Sequence, residues 1–183
     1  KVKVFDYNGR FLFQFGREGS SEGALDTPVG IGIDGSDNIY VCDSQNARIV
    51  VFDSKGGFLR DFDIQKKEGM TKPDPVDIVI DDAKGYVYIT DNSNMRMLVY
   101  TKTGKFLREW GEKGEGEGSF RYPATLSFSP DKRLVYVVDV WGLALGAGLL
   151  RFFPGGVYQL VFLFLPVAVF LASFCLGVGP GAF

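Results

Sequence analysis

Short apolar runs separated by turn residues fill the first three quarters of the chain. "VGIGID" (Val29–Asp34) is one such run. "NIYVCD" (Asn38–Asp43) alternates, with Ile39 and Val41 on one face and Tyr40 and Cys42 on the other. "RIVVFD" (Arg48–Asp53) and "FLRDFD" (Phe58–Asp63) follow. Each has the length of an ordinary strand. The breaks are Gly35-Ser36-Asp37, Ser44-Gln45-Asn46 and Ser54-Lys55-Gly56-Gly57. Apolar runs of this length, bounded by such turns, predict four antiparallel strands in succession.

The four-strand unit recurs. Pro28, Pro75 and Pro123 stand 47 and 48 residues apart, and Tyr40, Tyr88 and Tyr136 stand 48 and 48 apart. Asp43, Asp91 and Asp139 keep the same step. Gly9, Gly56 and Gly104 each precede a phenylalanine by two residues, at Phe11, Phe58 and Phe106. Phe15, Phe62 and Trp110 are the outer aromatics. Four strands in roughly 45 residues is the blade of a β-propeller. A single twisted sheet cannot bury both its faces, but stacked sheets can. Tyr40, Tyr88 and Tyr136 are accordingly expected to pack between blades.

"PVGIGIDGSDNIYVCDSQNARIVVFDSKGGFLRDFD" (Pro28–Asp63) resembles the NHL repeat almost throughout. "PVDIVIDDAKGYVYITDNSNMRMLVYTKTGKFLREWG" (Pro75–Gly111) resembles it with small departures, among them Thr101 where the family has Asp. "KVFDYNGRFLFQFG" (Lys3–Gly16) matches the second half of a unit, and "YPATLSFSPDKRLVYVVD" (Tyr122–Asp139) the first half. The fold expected from this resemblance is all-β. It is an incomplete NHL-type β-propeller of about three blade equivalents: half blade 1–16, blade 28–63, blade 75–111 and half blade 123–139. NHL propellers generally have six blades, within the range such rings adopt. One copy of this chain therefore does not encode a ring. The two half blades are complementary, so a homodimer completing the ring is an arrangement the repeat allows, less favoured here than a lone partial propeller. The chain starts at Lys1 without Met, as a fragment or a processed product would.

The pattern stops after Asp139. The family continues with S-x-N-x-R, but here "VWGLALGAGLL" follows, with Ala144 at the arginine's place. Residues 140–156 read as a linker. From Val157 to Val178 there is no charge over 22 residues, and Pro166 lies mid-span. A helix of that length would cross about 30 Å of hydrocarbon, so hydropathy points to a transmembrane helix. The break in mid-repeat points as well to a spurious tail from a shifted reading frame. A genuine tail implies a cell envelope or membrane location; otherwise the chain is periplasmic, secreted or cytoplasmic.

Charge and composition narrow the chemistry. Lys+Arg is 20 and Asp+Glu is 22, a net charge of -2, which gives no field to gather nucleic acid. There is no histidine, which removes the commonest general base and zinc ligand. No Ser–His or Cys–His pair can form. The amidating lyases that the NHL resemblance brings in use histidine-bound metal, and this chain departs from them. Cys42 and Cys175 form no CxxC, so neither a disulfide framework nor a metal knuckle is expected. Cys42 aligns with Thr90 and Val138, as a packing residue would.

The polar turns "DSQNAR" (Asp43–Arg48) and "DNSNMR" (Asp91–Arg96) are the candidate rim features. Asp43, Asn46, Arg48, Asp91, Asn94 and Arg96 would either face a ligand or hold their own turns, as Asp, Asn and Ser side chains commonly do. "DGSDN" (Asp34–Asn38) and "DDAKG" (Asp81–Gly85) superficially resemble calcium loops but lack their spacing. "REGSSEGAL" (Arg17–Leu25) and "GEKGEGEGSF" (Gly111–Phe120) read as inter-blade linkers, since no phosphate-loop lysine accompanies them. No catalytic residue, metal ligand or cofactor site is expected. The expected function is a non-catalytic propeller module, bacterial, binding a protein or small ligand at a rim and membrane-attached through its tail. The alternatives are a fragment of a propeller lyase or hydrolase whose active centre lies in other blades, and a non-functional truncated product.

Overall fold

The computed structural model describes residues 1–140 and two short strands beyond them, Arg151–Phe152 and Tyr158–Gln159. The chain divides into two units, Lys1–Trp141 and Gly142–Phe183. In the first, β1 (Val2–Phe5) pairs antiparallel with β2 (Phe11–Phe15). A short parallel contact then joins β3 (Arg17–Glu18) to β4 (Ala24–Leu25). The first complete blade is a four-stranded sheet of β5 (Pro28–Ile33), β6 (Ile39–Asp43), β7 (Arg48–Phe52) and β8 (Phe58–Asp63), in that spatial order. The second contains β9 (Pro75–Asp81), β10 (Tyr86–Asp91), β11 (Arg96–Thr101) and β12 (Phe106–Trp110). A further antiparallel pair follows, β13 (Pro123–Phe128) with β14 (Val135–Asp139).

Three apolar layers hold these sheets face to face. The period-two alternation of a strand sends successive side chains to opposite faces. In β6, Ile39 and Val41 therefore join Phe15 and Phe58 in one layer, while Tyr40 and Cys42 join Ile78, Ile80 and Ile89 in the next. Tyr88, Met97 and Val99 form the third layer with Leu126 and Phe128. Tyr40 and Tyr88 are buried, as expected of inter-blade residues, but Tyr136 is 57% exposed. Its backbone position repeats theirs; among the described residues no sheet covers its face.

Close approach of neighbouring inner strands depends on Gly30. A Cβ added there would lie 2.7 Å from the Cα of Asp77 and closer still to the carbonyl of Val76, so β5 and β9 would have to separate. Gly30→Ala is expected to destabilise the chain by ~1–3 kcal/mol, the usual range for overpacking. A lowered urea midpoint at unchanged m would show it, and an unaltered midpoint would contradict the close approach.

The turns between third and fourth strands share one device. Asp6 Oδ1 accepts from the Arg10 amide at 2.9 Å, and Asp53 Oδ1 from the Gly57 amide at 2.8 Å. Thr101, the departure from the repeat, supplies its hydroxyl oxygen to the Lys105 amide at 3.0 Å, so the turn survives the substitution.

In the second unit the described part is an antiparallel pair, β15 (Arg151–Phe152) with β16 (Tyr158–Gln159). No helix among the described residues is long and apolar enough to cross a membrane. The apolar stretch 157–178 and Ala144 lie outside the described residues, except Tyr158–Gln159, which is strand rather than helix.

Candidate functional site

Antiparallel blades place alternate turns at opposite ends. One end carries the turns between second and third strands together with the connections to the next blade. The candidate polar residues are on this end. The turn after β6 is a single 3₁₀ turn, Ser44–Asn46, closed by Ala47 in the left-handed region at φ 54°. Met95 repeats that conformation at φ 49°.

The carboxylates there face inward. Asp43 is fully buried and Asp91 equally so. Asp43 Oδ1 accepts from the Asp26 amide at 2.6 Å, while Oδ2 accepts from Asn46 Nδ2 at 2.8 Å and Arg48 Nε at 2.9 Å. The second blade copies this arrangement. Asp91 Oδ1 accepts from the Asp74 amide at 2.9 Å, and Oδ2 from Asn94 Nδ2 at 2.9 Å and Arg96 Nε at 2.8 Å. Each arginine reaches onward. Arg48 pairs with Asp61 at 2.9 Å and donates to the Ala24 carbonyl at 2.8 Å. Arg96 pairs with Glu109 at 2.8 Å and donates to the Gln65 carbonyl at 2.7 Å. The motif thus ties three segments of chain together: the turn, the outermost strand and the preceding connection. Asp139 begins a third copy, accepting from the Arg121 and Tyr122 amides at 3.0 and 2.7 Å through Oδ1.

Of the six candidate residues, Asp43, Arg48, Asp91 and Arg96 are buried and Asn46 and Asn94 half-buried. The side chains these turns present to solvent are Gln45 and Ser93, which sequence reasoning passed over. The acidic partners Asp61 and Glu109 were passed over too, although both stand 13 residues after their arginine. Ser44 donates its hydroxyl to Asp74. Asn92, at the equivalent place, has no partner for Nδ2 among the described residues, and Tyr122 stands where Asp74 would.

The opposite end holds a second polar cluster between the two complete blades. Lys102 Nζ lies 2.7 Å from Asp34 Oδ2 and 2.8 Å from Asp82 Oδ1. Asp34 also accepts from the Ser36 and Asn38 amides, and Asp82 Oδ2 from the Gly35 amide across the blade boundary at 2.8 Å. Both calcium-like loops are therefore ordinary turns. Among the described residues no group of three or more His, Cys, Asp or Glu side chains is placed to hold a metal ion. Burial works against the Asp34 carboxylate, but the Lys102 ammonium and the Asn38 and Ser36 donors outweigh it and hold its pKa far below the usual range. Asp34 and then Asp82 raise the pKa of Lys102 in turn.

This cluster gives a pH prediction. A carboxylate with a lowered folded-state pKa adds stability that is complete above the unfolded value of about 3.9. That stability is lost as pH falls from there towards the folded value. Lys102→Met should therefore flatten the acid limb of the stability curve, bringing urea midpoints at pH 7 and about pH 3 closer together than in the parent chain. Parallel acid limbs in the two proteins would refute the coupling.

Cys42 is fully buried in the inter-blade layer. Burial, with the Asp77 and Asp74 carboxylates nearby, pushes its thiol pKa well up, so it is a packing residue and not an activated thiolate. Beside the last strand pair a groove of about 410 Å³ is lined by Lys84, Arg108, Lys132 and Arg133 with Tyr88 and Trp110. In the first blade boundary the counterpart of Arg108, Arg60, is engaged with the Tyr40 hydroxyl at 3.0 Å and the Lys102 carbonyl at 2.7 Å.

Stacked four-stranded antiparallel sheets with a repeated inter-blade staple define a segment of β-propeller. More particularly, residues 25–52 match the NHL repeat and residues 76–145 match the DUF5128 family, described as a 6-bladed beta-propeller. The chain is a partial propeller carrying an NHL repeat. No curated protein matches it. Among solved structures it is similar to hydrazine synthase of Kuenenia stuttgartiensis, at 12% identity and a TM-score of 0.56 over 80% of this chain and 37% of that one. It is similar to a streptogramin B lyase at 19% identity and a TM-score of 0.54, over 75% and 40% of the two chains. A virginiamycin B lyase from Staphylococcus aureus, in a structure with quinupristin, gives 15% and 0.53 over 75% and 41%. The chain spans about two fifths of the length of these structures. At such identities the likeness is one of fold.

Proposed function

We propose that the chain is a non-catalytic propeller module that binds a partner, and that the rim formed by the turns after the second strands and the inter-blade connections is its recognition surface. The carrying observation is how each rim turn divides its side chains. Asp43, Arg48, Asp91 and Arg96 hold the frame, each bonded within the blade or to the connection before it. Gln45 and Ser93 project from that rigid base into solvent. Loops fixed on a repeating scaffold are where binding residues concentrate. The buried side chains are engaged in ion pairs and hydrogen bonds with one another and with the backbone and face away from solvent, which favours recognition over catalysis at this rim.

The test is site-specific photo-crosslinking in cells producing the full chain. A benzophenone amino acid at Gln45 or Ser93 should give a defined adduct with a second protein. The same probe at Lys55 or Thr103, on the opposite rim, should give none. Equal yields from both rims, or no adduct from either, would overturn the proposal.

A further inference from the structure

The connection between the two complete blades is built differently from its neighbours. In the connections before β5 and before β13 the sealing apolar residue comes late, at Leu25 and at Phe120. Each of those segments also folds back in a short parallel contact, Arg17–Glu18 with Ala24–Leu25 and Lys113 with Phe120. Between β8 and β9 the sealing residue comes first. Ile64 is buried in the layer between the blades, and its amide donates to the Ala47 carbonyl at 2.9 Å. Gln65, Lys66, Lys67, Glu68 and Gly69 are then all exposed on the rim, with a complete blade on either side.

This tip is held at both feet. The Gln65 amide donates to the Tyr100 hydroxyl at 2.7 Å, and the Gln65 carbonyl accepts from Arg96 at 2.7 Å. At the far foot the Thr71 amide donates to Asn94 Oδ1 at 3.1 Å and its hydroxyl to the Ser93 carbonyl at 3.2 Å. Between them the Met70 amide closes a turn on the Lys67 carbonyl at 3.2 Å, with Gly69 at φ 80° in the third place of the turn, where a positive φ is needed. A loop fixed in this way loses little freedom on binding.

Its charge is also different. Residues 64–74 carry Lys66, Lys67 and Lys72 against Glu68 and Asp74, and Asp74 is half-buried under the Ser44 hydroxyl. The neighbouring connections carry acids in excess: Glu18, Glu22 and Asp26 against Arg17, and Glu112, Glu115 and Glu117 against Lys113 and Arg121. Lys67 is paired with Glu109. The Lys66 ammonium has no partner among the described residues. Lys72 donates to the Gln45 carbonyl, and an ammonium has two further protons to give.

We infer that this tip selects the partner of the rim, and that the partner presents a short acidic segment whose carboxylates meet Lys66 and Lys72. The inference rests on the rim being the recognition surface. A nucleic-acid strand laid along the rim would meet the acids on either side of the tip, whereas a short acidic peptide would not.

The test uses the full chain in non-ionic detergent and a fluorescein-labelled dodecapeptide of alternating glutamate and glycine, read by fluorescence anisotropy. The peptide should bind, and more weakly as salt rises from about 50 to about 300 mM. Lys66→Glu should weaken it about tenfold, as a like charge does across an interface, and Lys105→Glu on the opposite rim should not. Lys66 is exposed, so its variant should keep the parent circular dichroism spectrum; should it fail to fold, Lys72→Glu carries the same test. No binding at about 1 mM peptide, an affinity indifferent to salt, equal losses from the two rims, or tighter binding of an oligodeoxythymidylate of the same length would each overturn the inference. The Gln45 photo-adduct separates it from the rim proposal. An adduct that forms equally well in the Lys66→Glu chain overturns the acidic partner and leaves the rim as the recognition surface, whereas its absence from the parent chain overturns both.

Discussion

Arg96→Ala is expected to destabilise the folded chain by about 3–5 kcal/mol, the range for breaking a buried ion pair from one side. The Arg96 side chain is 1% exposed and the Asp91 side chain not at all. Removing the guanidinium leaves a carboxylate in the interior with only the Asp74 amide and Asn94 to solvate it. It also unties Glu109 and the Gln65 carbonyl. The pair itself need not be a large net source of stability, because desolvation of both ions opposes it. The cost of the variant is chiefly that of the stranded charge. A double-mutant cycle separates the two: adding Asp91→Asn removes that charge, so the double variant should lose less than the sum of the singles, by ~0.5–3 kcal/mol. Arg48→Ala should cost less than Arg96→Ala, because its second partner Asp61 is 35% exposed where Glu109 is 19%. Additive losses in urea melts, or a loss for Arg96→Ala near that of a surface substitution, would show that the staple is not what holds the turn.

The same staple marks what was legible in the sequence. The period could be read because prolines, tyrosines and aspartates return at one step, and the strands because apolar runs end in turn residues. Arg48 and Arg96 were legible as a repeated pair. Their burial was not, since a charge in a polar turn reads as solvated. Asp61 and Glu109 sit in outer strands whose alternation, as in "FLRDFD", leaves the acid on the polar side of the pattern. Only the fold turns that side towards the arginine. The Lys102 cluster was harder still. It joins residues of two blades, with Gly35 bonded to Asp82 across 47 positions, and the distance between blades is not a property of either repeat. Tyr136 shows the limit most plainly. It satisfies the same pattern as Tyr40 and Tyr88, yet it is exposed where they are buried. A periodic sequence states which face a side chain takes. What lies against that face is decided by the neighbouring sheet.

That distinction sets the second large effect. Tyr88→Ala is expected to cost ~2–4 kcal/mol as a large-to-small change in a packed layer. The Tyr88 ring meets Phe128 edge-on with centroids 5.2 Å apart, and Trp110 at 6.4 Å, so one ring joins the second blade to β13. Truncation removes both aromatic contacts and opens a cavity among Met97, Val99 and Leu126, which cannot close without moving β13 inward. The groove beside Trp110 also borders this ring, so water can partly fill the space, which keeps the loss below that of a fully enclosed site. Tyr7→Ala is the control. Tyr7 is 98% exposed in the turn after β1, and its loss should stay within ~0.5 kcal/mol. If the two variants melt alike in urea, the third apolar layer does not hold β13 and β14 to the blade before them.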